Sequence, residues 1–355
     1  MSMLTGRIEA VIGVDTHKQQ HTAALLDALG GQRGLLTIVS DGGGYRQLLE
    51  WARRLEPGRR VWAVEGTGSF GAGLTSYLLE AGEWVCEVDR PDKPARKRGA
   101  KSDQIDAVRA ARQALQEEHL AQPRRRGQRE AIRVLKLGRQ QAVDVHSEAV
   151  VQLKSLVVSA PEQLRAQLRG LNAEQLVKTC ARLRLNSRQS LEWTATVAAL
   201  RTLARRAESA AKDVEELSQS LAELVAAAAP QLLAEKGVGT VVAAQLLCAW
   251  SHPGRLRSEA AFAMLAGAAP IPTSSGQKER YRLNRSGDRE INCALRTVVI
   301  TRMACDARTQ AYFERRRAQG KSDREIQRCL KRYVARRLFH VMDGHRSASQ
   351  TNVRS

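Results

Sequence analysis

Short apolar segments alternate with polar connections along the first ninety residues of the chain. Three of these segments, at residues 8–15, 21–27 and 35–40, are rich in aliphatic and β-branched residues, and the connections between them are short. This pattern predicts three consecutive antiparallel strands. The following segments predict, in order, a helix at 45–55, a strand at 60–64, a helix at 74–79 and a strand at 84–88.

Helical periodicity replaces this alternation after residue 101. A first helix is predicted to begin after Ser102, which has the side chain of a helix cap. The apolar positions of its predicted buried face are Ile105, Val108, Ala111 and Leu115. Two longer stretches, residues 132–156 and 191–229, predict long helices that either pair as an antiparallel coiled coil or project as an arm.

A glycine-containing turn opens the last third of the chain. The residues Gly237, Val238 and Gly239 lie between two apolar helical patterns, as in a helix-hairpin-helix element. In such an element, backbone N–H groups at a helix N-terminus can hold a phosphate oxygen. A tight helix-helix turn without a ligand explains the same residues equally well.

The order of the predicted elements indicates the fold class. Three strands, a helix, a strand, a helix and a strand form the order of an RNase H-like domain of the Holliday-junction-resolvase type. The chain as a whole is therefore predicted to be α/β plus all-α. We expect an RNase H-like domain at residues 1–125, a helical coiled-coil arm at 126–229 and a basic helical C-terminal domain at 230–355.

Composition agrees with a folded protein that has aliphatic cores. Of the 355 residues, 43% are hydrophobic and 26% are charged, but only 4% are aromatic. No run of eighteen apolar residues and no signal-like start is present, so a cytoplasmic protein without a membrane span is predicted. The six cysteines are scattered without a CxxC pair, which favours reduced core thiols over disulfides or zinc ligands.

The charge of the chain is large and unevenly distributed. The formal net charge is +20; residues 1–90 contain 9 basic and 11 acidic residues, and all the others contain 48 and 26. Residues 271–340 alone contain 18 basic and 7 acidic residues. Such an excess predicts a polyanionic partner, with nucleic acid first, because phosphates neutralised by Lys and Arg release condensed counterions. A solvated basic surface is the alternative.

Four acidic residues occupy the ends of predicted elements. Asp15 ends the first predicted strand and Glu65 ends the fourth. Asp103 and Asp106 lie three residues apart on the helix after the fifth strand, so they share one face. Carboxylates in a cluster repel one another unless hard cations such as Mg²⁺ or Mn²⁺ neutralise them, and two such ions promote phosphodiester transfer. Taken singly, each acid is explained as a turn, surface or helix-start residue; together they predict a metal site.

Several motifs resemble those of a known family. The segments GVDTHK (13–18), VEGTGSFG (64–71) and KSDQIDAVRAAR (101–112) are similar, in order and spacing, to the DEDD motifs of the insertion sequence one-ten family of transposases. Members of that family are also called bridge-RNA-guided recombinases. Residues 265–296 resemble the family's C-terminal transposase motif, and residues 321–342 resemble its closing helix.

The resemblance implies a two-part catalytic site. Ser275 corresponds to a nucleophile that attacks a DNA phosphodiester and holds the cut strand as a phosphoserine. Ser274 also precedes the following glycine, but the family register favours Ser275. The metal-binding tetrad implied for Mg²⁺ or Mn²⁺ comprises Asp15, Glu65, Asp103 and Asp106.

The resemblance also implies partners: double-stranded DNA, a structured guide RNA and further copies of the chain, as a dimer or tetramer. The acids and Ser275 lie about 170 residues apart in the sequence, so an active site built from two protomers is expected. The basic residues expected to contact nucleic acid are Lys18, Lys278, Arg280, Arg282, Arg285, Arg289 and Arg296.

Three other functions compete with a recombinase. An actin-like sugar kinase or ATPase would have a Gly-Thr or Gly-Ser phosphate loop after the first acid, where this chain has Thr16, His17 and Lys18. A metal-dependent junction resolvase would use the four acids without the serine. A nucleic-acid-binding protein without catalysis would use neither.

Overall fold

The structure is a computed structural model that describes residues 6–88, 102–117, 120–123, 126–185, 190–251, 255–273 and 281–344. Its strands are β1 (Ala10–Thr16), β2 (Gln20–Asp27), β3 (Gln32–Val39), β4 (Arg60–Glu65), β5 (Trp84–Val88), β6 (Ile271–Pro272) and β7 (Tyr281–Arg282). The first helices are α1 (Gly42–Leu55), α2 (Ala72–Glu80), α3 (Asp103–Gln116), α4 (Gln128–Ser159), α5 (Glu162–Leu168), α6 (Ala173–Arg182) and α7 (Leu191–Ala228). The remaining helices are α8 (Pro230–Leu233), α9 (Thr240–Trp250), α10 (Glu259–Leu265), α11 (Arg289–Cys305), α12 (Ala307–Ala318) and α13 (Asp323–Asp343).

The chain divides into two compact units. The first comprises residues 1–127, 249–289 and 331–355, and the second comprises residues 128–248 and 290–330. The first unit contains the five-stranded sheet and the second contains α4 to α7. A mixed α/β N-terminal region followed by a largely helical remainder confirms the predicted fold class at this level.

The sheet of the first unit has the strand order β3-β2-β1-β4-β5. The pairs β1–β2 and β2–β3 are antiparallel, which confirms the three consecutive antiparallel strands predicted from the short connections. The pairs β1–β4 and β4–β5 are parallel. Because β1 and β4 run in the same direction, their carboxyl ends meet at one edge of the sheet.

Side chains that alternate along the strands build a core on each face of this sheet. On one face, Ile12 and Trp62 pack with residues of α1 and α2. On the other face, Val11 and Ala63 pack with residues of α3. These four side chains are fully buried, and burial of that kind stabilises the fold by about 1.5–3 kcal/mol for a residue of valine size or larger.

Helix α3 lies unusually close to β1. An added Cβ at Gly13 would lie 2.9 Å from Ala111 Cβ and still closer to the Ala107 carbonyl oxygen and the Ala111 amide nitrogen. The buried residues of α3 are all alanines, at positions 107, 110, 111 and 114. The predicted buried face of this helix was therefore wrong at Ile105, which is exposed, because close packing on a strand requires small side chains.

The second unit contains the two long helices. Helices α4 and α7 run antiparallel: Gln128 donates a hydrogen bond to the Leu224 carbonyl at one end, and Arg139 donates one to Ser218 further along. A core that includes Leu153 joins α4 and α7 to α5 and α6. Long helices at these positions were predicted; their coiled-coil character stays a prediction.

The predicted glycine turn lies between α8 and α9 in the second unit. Gly237 has a φ of +80°, and a Cβ there would lie 3.1 Å from the Val298 carbonyl oxygen of α11. Arg302 of α11 donates a hydrogen bond to the Lys236 carbonyl and forms an ion pair with Glu235. The turn is thus held against α11, and its role as a helix-hairpin-helix element stays a prediction.

Two further sequence expectations concern membranes and thiols. Among the described residues, no helix combines the length and the apolar character needed to cross a bilayer. All six cysteines are free. Cys86 and Cys180 are buried, but Cys293 and Cys305 are exposed, so the interpretation of the cysteines as core thiols was wrong at these two positions.

Candidate functional site

Two of the predicted acids lie side by side at the carboxyl edge of the sheet. The parallel register pairs Val14 of β1 with Val64 of β4, so Asp15 and Glu65 are the next residues on neighbouring strands. Asp15 follows Gly13 on the face of the sheet that α3 covers, since residues two apart point to the same side. Asp15 is 7% exposed, and Glu65 is half-buried.

The other two acids lie in the first turn of α3. The helix begins after Ser102, whose hydroxyl accepts a hydrogen bond from the Ile105 amide at 3.3 Å. Asp103 and Asp106 then follow within this turn, where the helix dipole favours negative charge. Because α3 packs tightly on β1 at Gly13, its N-terminus is brought to the edge at which Asp15 lies.

The loop after β4 is tied to the end of β1. Thr16 donates a hydrogen bond from its Oγ1 to the Glu65 carbonyl at 2.9 Å. Gly66 then takes a φ of +67°, a region that glycine enters without strain. A Cβ at Gly71 would lie 3.0 Å from the Glu65 carbonyl, so the loop folds back closely over that residue. These contacts fix the backbone on both sides of the acidic edge.

His17 lies between two of the acids. Its Nε2 is 3.2 Å from Asp15 Oδ2 and 3.5 Å from Asp103 Oδ1. Its backbone N–H donates to the Gln20 carbonyl at 3.0 Å, which closes the short β1–β2 connection. One donor atom from each of the three side chains lies within 4.8 Å of the other two, as in a group that could hold a metal ion.

The other three acids act electrostatically on Asp15. Burial raises the pKa of Asp15 above its ordinary value; nearby His17 opposes this, and the charges of Glu65, Asp103 and Asp106 raise the pKa further. Asp106 also forms an ion pair with Arg109 at 2.9 Å. A partly buried carboxylate surrounded by three others is stabilised in its charged form by a cation.

The donor set fits a divalent metal. Carboxylate oxygens are the ligands that Mg²⁺ and Mn²⁺ prefer, and those of Asp15 and Asp103 come from a strand and a helix that are packed together. Glu65 and Asp106 lie outside this close group. The negative charges of Glu65, Asp103 and Asp106, which act on partly buried Asp15, give a physical reason why a doubly charged ion would bind at this edge.

Comparisons with known proteins agree with this arrangement. The transposase family model DEDD_Tnp_IS110 matches residues 12–160, which include all four acids. A second model, described as Transposase IS116/IS110/IS902 family, matches residues 229–314. The chain belongs to the IS110 family of transposases. No curated protein matches the chain in sequence.

The second IS110 match includes the predicted nucleophile. Ser275, the alternative Ser274, and the basic residues Lys278 and Arg280 lie outside the described residues. In sequence they lie between β6 and β7, which pair as a short antiparallel ladder through Ile271 and Arg282.

The segment after β7 is anchored on α10. Asn284 donates a hydrogen bond from its side chain to the Met264 carbonyl at 2.7 Å, and the Asp288 amide donates to the Leu265 carbonyl at 2.7 Å. Gly287 lies so close to Gly267 that a Cβ would overlap its backbone. These contacts attach residues 284–288 to α10 and to the turn that follows it.

The described members of the predicted nucleic-acid-binding set are all exposed. Lys18 lies in the β1–β2 connection next to His17, and Arg282 and Arg285 lie in β7 and the segment after it. Arg289 begins α11, and Arg296 lies two turns further along this helix. Exposure leaves these cations accessible to phosphate groups.

Three residues near the acids were not among the predicted site residues. For His17 the sequence left two interpretations open: contact with the scissile phosphate or a metal-bound water, or an exposed loop histidine. Thr16 was only the residue before it. Gly13 could be recognised only as a glycine within a predicted strand, and such a glycine often indicates that another backbone packs closely against the strand. The structure shows that these three residues join β1 to the other elements of the site.

Proposed function

We propose that this IS110-family protein cuts and rejoins DNA with a two-metal DEDD site and a serine nucleophile, guided by a structured RNA. The five-stranded sheet with order β3-β2-β1-β4-β5 supports assignment of the first region to the RNase H-like folds. The observation that supports the proposal is that Asp15 and Glu65 lie on neighbouring strands at one edge of this sheet, and that the charges of Glu65, Asp103 and Asp106 all act on Asp15.

The acids would hold two divalent ions over the scissile phosphate. Asp15 has the most buried position of the four and is in contact with His17. Asp103 and Asp106 extend from the helix N-terminus, and Glu65 lies beside Asp15 on the neighbouring strand. When bound, Mg²⁺ or Mn²⁺ would supply Lewis-acid stabilisation of the charge that develops on the phosphate oxygens.

Ser275 would form the covalent bond to DNA. In the first step, the bond between Ser275 Oγ and phosphorus forms while one phosphorus–oxygen bond to a sugar breaks, and the departing sugar oxygen takes up a proton in place of the one that the serine loses. In the second step, a sugar hydroxyl attacks the phosphoserine and releases the serine. Nearby cations, including Arg282 and Arg285, would stabilise the transferring phosphate.

The assembly would contain more than one copy of the chain. A dimer or tetramer in which the acids of one copy act with Ser275 of another would remain inactive until DNA is bound. The basic C-terminal sequence would grip the backbones of DNA and of the guide RNA, and base pairing with the RNA would select the target.

One experiment separates this function from its competitors. Purified protein is incubated with donor DNA, the candidate RNA of the element and Mg²⁺, and protein–DNA adducts are mapped by mass spectrometry. We expect an adduct at Ser275 that is absent in Ser275→Ala and in Asp15→Asn. Ser274→Ala is the matched control and should keep the adduct.

Other results would favour other functions. If Ser275→Ala cuts DNA at the rate of the unaltered protein and no adduct forms, the protein is a metal-dependent resolvase. Bound and assembled substrate that is never cut would identify a nucleic-acid-binding protein without catalysis. An adduct that moves to Ser274 would overturn the assignment of the nucleophile.

A further inference from the structure

We propose that His17 is a direct metal ligand, which adds an imidazole nitrogen to the carboxylate oxygens of Asp15 and Asp103. This inference rests on the proposed metal-dependent function and deepens it. The carboxylates alone offer a set of oxygen donors. A nitrogen from His17 would change both the choice of cation and the spectroscopic properties of the site.

The position of His17 follows from the strand that precedes it. Asp15 and His17 are two residues apart, so both extend toward the face of the sheet that α3 covers, whereas Thr16 extends the other way and bonds to the Glu65 carbonyl. The hydrogen bond from the His17 amide to the Gln20 carbonyl holds the backbone at this point. His17 is therefore directed at the N-terminus of α3, where Asp103 lies.

The distances match those between ligands of one ion. Two donor atoms that each lie about 2.1 Å from a cation are about 3.0 Å apart at a right angle and about 3.4 Å apart at a tetrahedral angle. His17 Nε2 is 3.2 Å from Asp15 Oδ2 and 3.5 Å from Asp103 Oδ1. The donor atoms of Asp15 and Asp103 lie within 4.8 Å of each other, so one ion among the three side chains would require these two carboxylates to move closer together.

The exposure of the three side chains allows a cation to enter. The His17 side chain is 51% exposed and that of Asp103 is 44% exposed, whereas that of Asp15 is 10% exposed. An ion can therefore approach from solvent between His17 and Asp103 and reach Asp15 at the base of the site. Further positions around the ion would remain for water or substrate oxygens.

A nitrogen ligand has a consequence for metal choice. Both Mg²⁺ and Mn²⁺ prefer oxygen ligands, but Mn²⁺, a transition metal, accepts an imidazole nitrogen beside carboxylates more readily than Mg²⁺ does. We therefore expect removal of the imidazole to weaken Mn²⁺ binding more than Mg²⁺ binding. Loss of a residue that only supports a metal ligand typically lowers metal affinity about 10- to 100-fold. Because His17 would be a ligand itself, we expect Mn²⁺ affinity to fall by at least about 10-fold.

The test uses Mn²⁺ and the full chain without DNA. Electron spin-echo envelope modulation detects a nitrogen bonded to Mn²⁺, and calorimetry in an amine-free buffer gives the affinities for Mn²⁺ and Mg²⁺. The variants are His17→Gln and His17→Ala, and circular dichroism checks that each remains folded. The matched control is His146→Gln, which alters a half-buried histidine on α4 in the second unit.

We expect a nitrogen coupling in the unaltered protein and in His146→Gln, and its loss in both His17 variants. Histidine labelled with ¹⁵N in the imidazole ring alone should convert the coupling to that of ¹⁵N, which excludes buffer and backbone nitrogen. If Asp15→Asn abolishes Mn²⁺ binding but the unaltered protein shows no nitrogen coupling, the proposed role of His17 is overturned and the proposed carboxylate site remains. Mn²⁺ binding that does not depend on Asp15 would overturn the proposed metal site as well.

Discussion

Replacement of Gly13 by alanine would place a methyl group where β1 and α3 are closest. The added Cβ would lie 2.9 Å from Ala111 Cβ and nearer still to backbone atoms of Ala107 and Ala111. The Ala107 carbonyl oxygen would be only 2.1 Å away, whereas real Cβ atoms essentially never come within 3.0 Å of such an atom, so α3 would have to move from the sheet by about 0.9 Å or more. Most of the atoms in the way belong to the backbone, so a side-chain rotation cannot relieve the overlap.

The displacement would act on both stability and metal binding. Overpacking of a buried position costs about 1–3 kcal/mol of the free energy of unfolding. Asp103 and Asp106 lie within one turn of Ala107 and would move with α3. Since a binding site requires its ligands within about 0.5 Å of the productive geometry, we expect Mn²⁺ affinity to fall about 10- to 100-fold, as it does when a supporting residue of a metal site is lost.

Two control variants separate these effects. Ile12→Val alters the neighbouring residue, which packs on the opposite face, and should cost about 0.5–1.5 kcal/mol without loss of Mn²⁺ affinity. Gly138→Ala adds a Cβ in helix α4 at an ordinary 3.5 Å from Leu217 Cδ1 and should stabilise the protein by up to about 1 kcal/mol.

The assays are urea denaturation followed by circular dichroism in the presence of a chelator, and calorimetric titration with Mn²⁺. A Gly13→Ala protein with the stability and Mn²⁺ affinity of the unaltered chain would refute the argument that this contact positions α3. A loss of affinity in Ile12→Val as large as that in Gly13→Ala would attribute the effect to lost stability rather than to position.

The remaining predictions concern ionisation and reactivity. The folded-state pKa of Asp15 is raised, so ionisation of Asp15 destabilises the metal-free protein as the pH rises above about 4. Asp15→Asn should therefore raise the melting temperature at pH 7 in a chelator and remove the stabilisation by Mn²⁺. An unchanged melting temperature would contradict this. Burial lowers the pKa of His21, so the free energy of unfolding should fall as the pH drops below about 6.5. Chemical denaturation at several pH values measures this decrease, and His21→Asn should make it smaller. Burial raises the pKa of the Cys86 thiol to about 12, so maleimide should modify exposed Cys293 within minutes and Cys86 only after unfolding; equal labelling of the two sites in peptide mass spectra would show that the sheet core is open.

Local sequence patterns were sufficient to predict the strands and the long helices, and to predict where the four acids lie along these elements. The alternation of apolar residues predicted β1 to β5 because the period of a strand depends on neighbouring residues alone. The ends of those strands then identified Asp15 and Glu65, and the predicted helix start identified Asp103 and Asp106. The uneven charge, which is a property of the sequence itself, predicted a nucleic-acid partner.

The tertiary structure decided which surfaces meet. Helical spacing placed Ile105 on the buried face of α3, but the helix buries its alanines because Gly13 lets it approach the sheet closely. The contact of His17 with Asp103 joins residues that are far apart in the sequence, and no local pattern predicts such a contact. A periodicity depends on residues a few positions apart, whereas a contact between elements depends on the shapes of both surfaces, which exist only once the chain is folded.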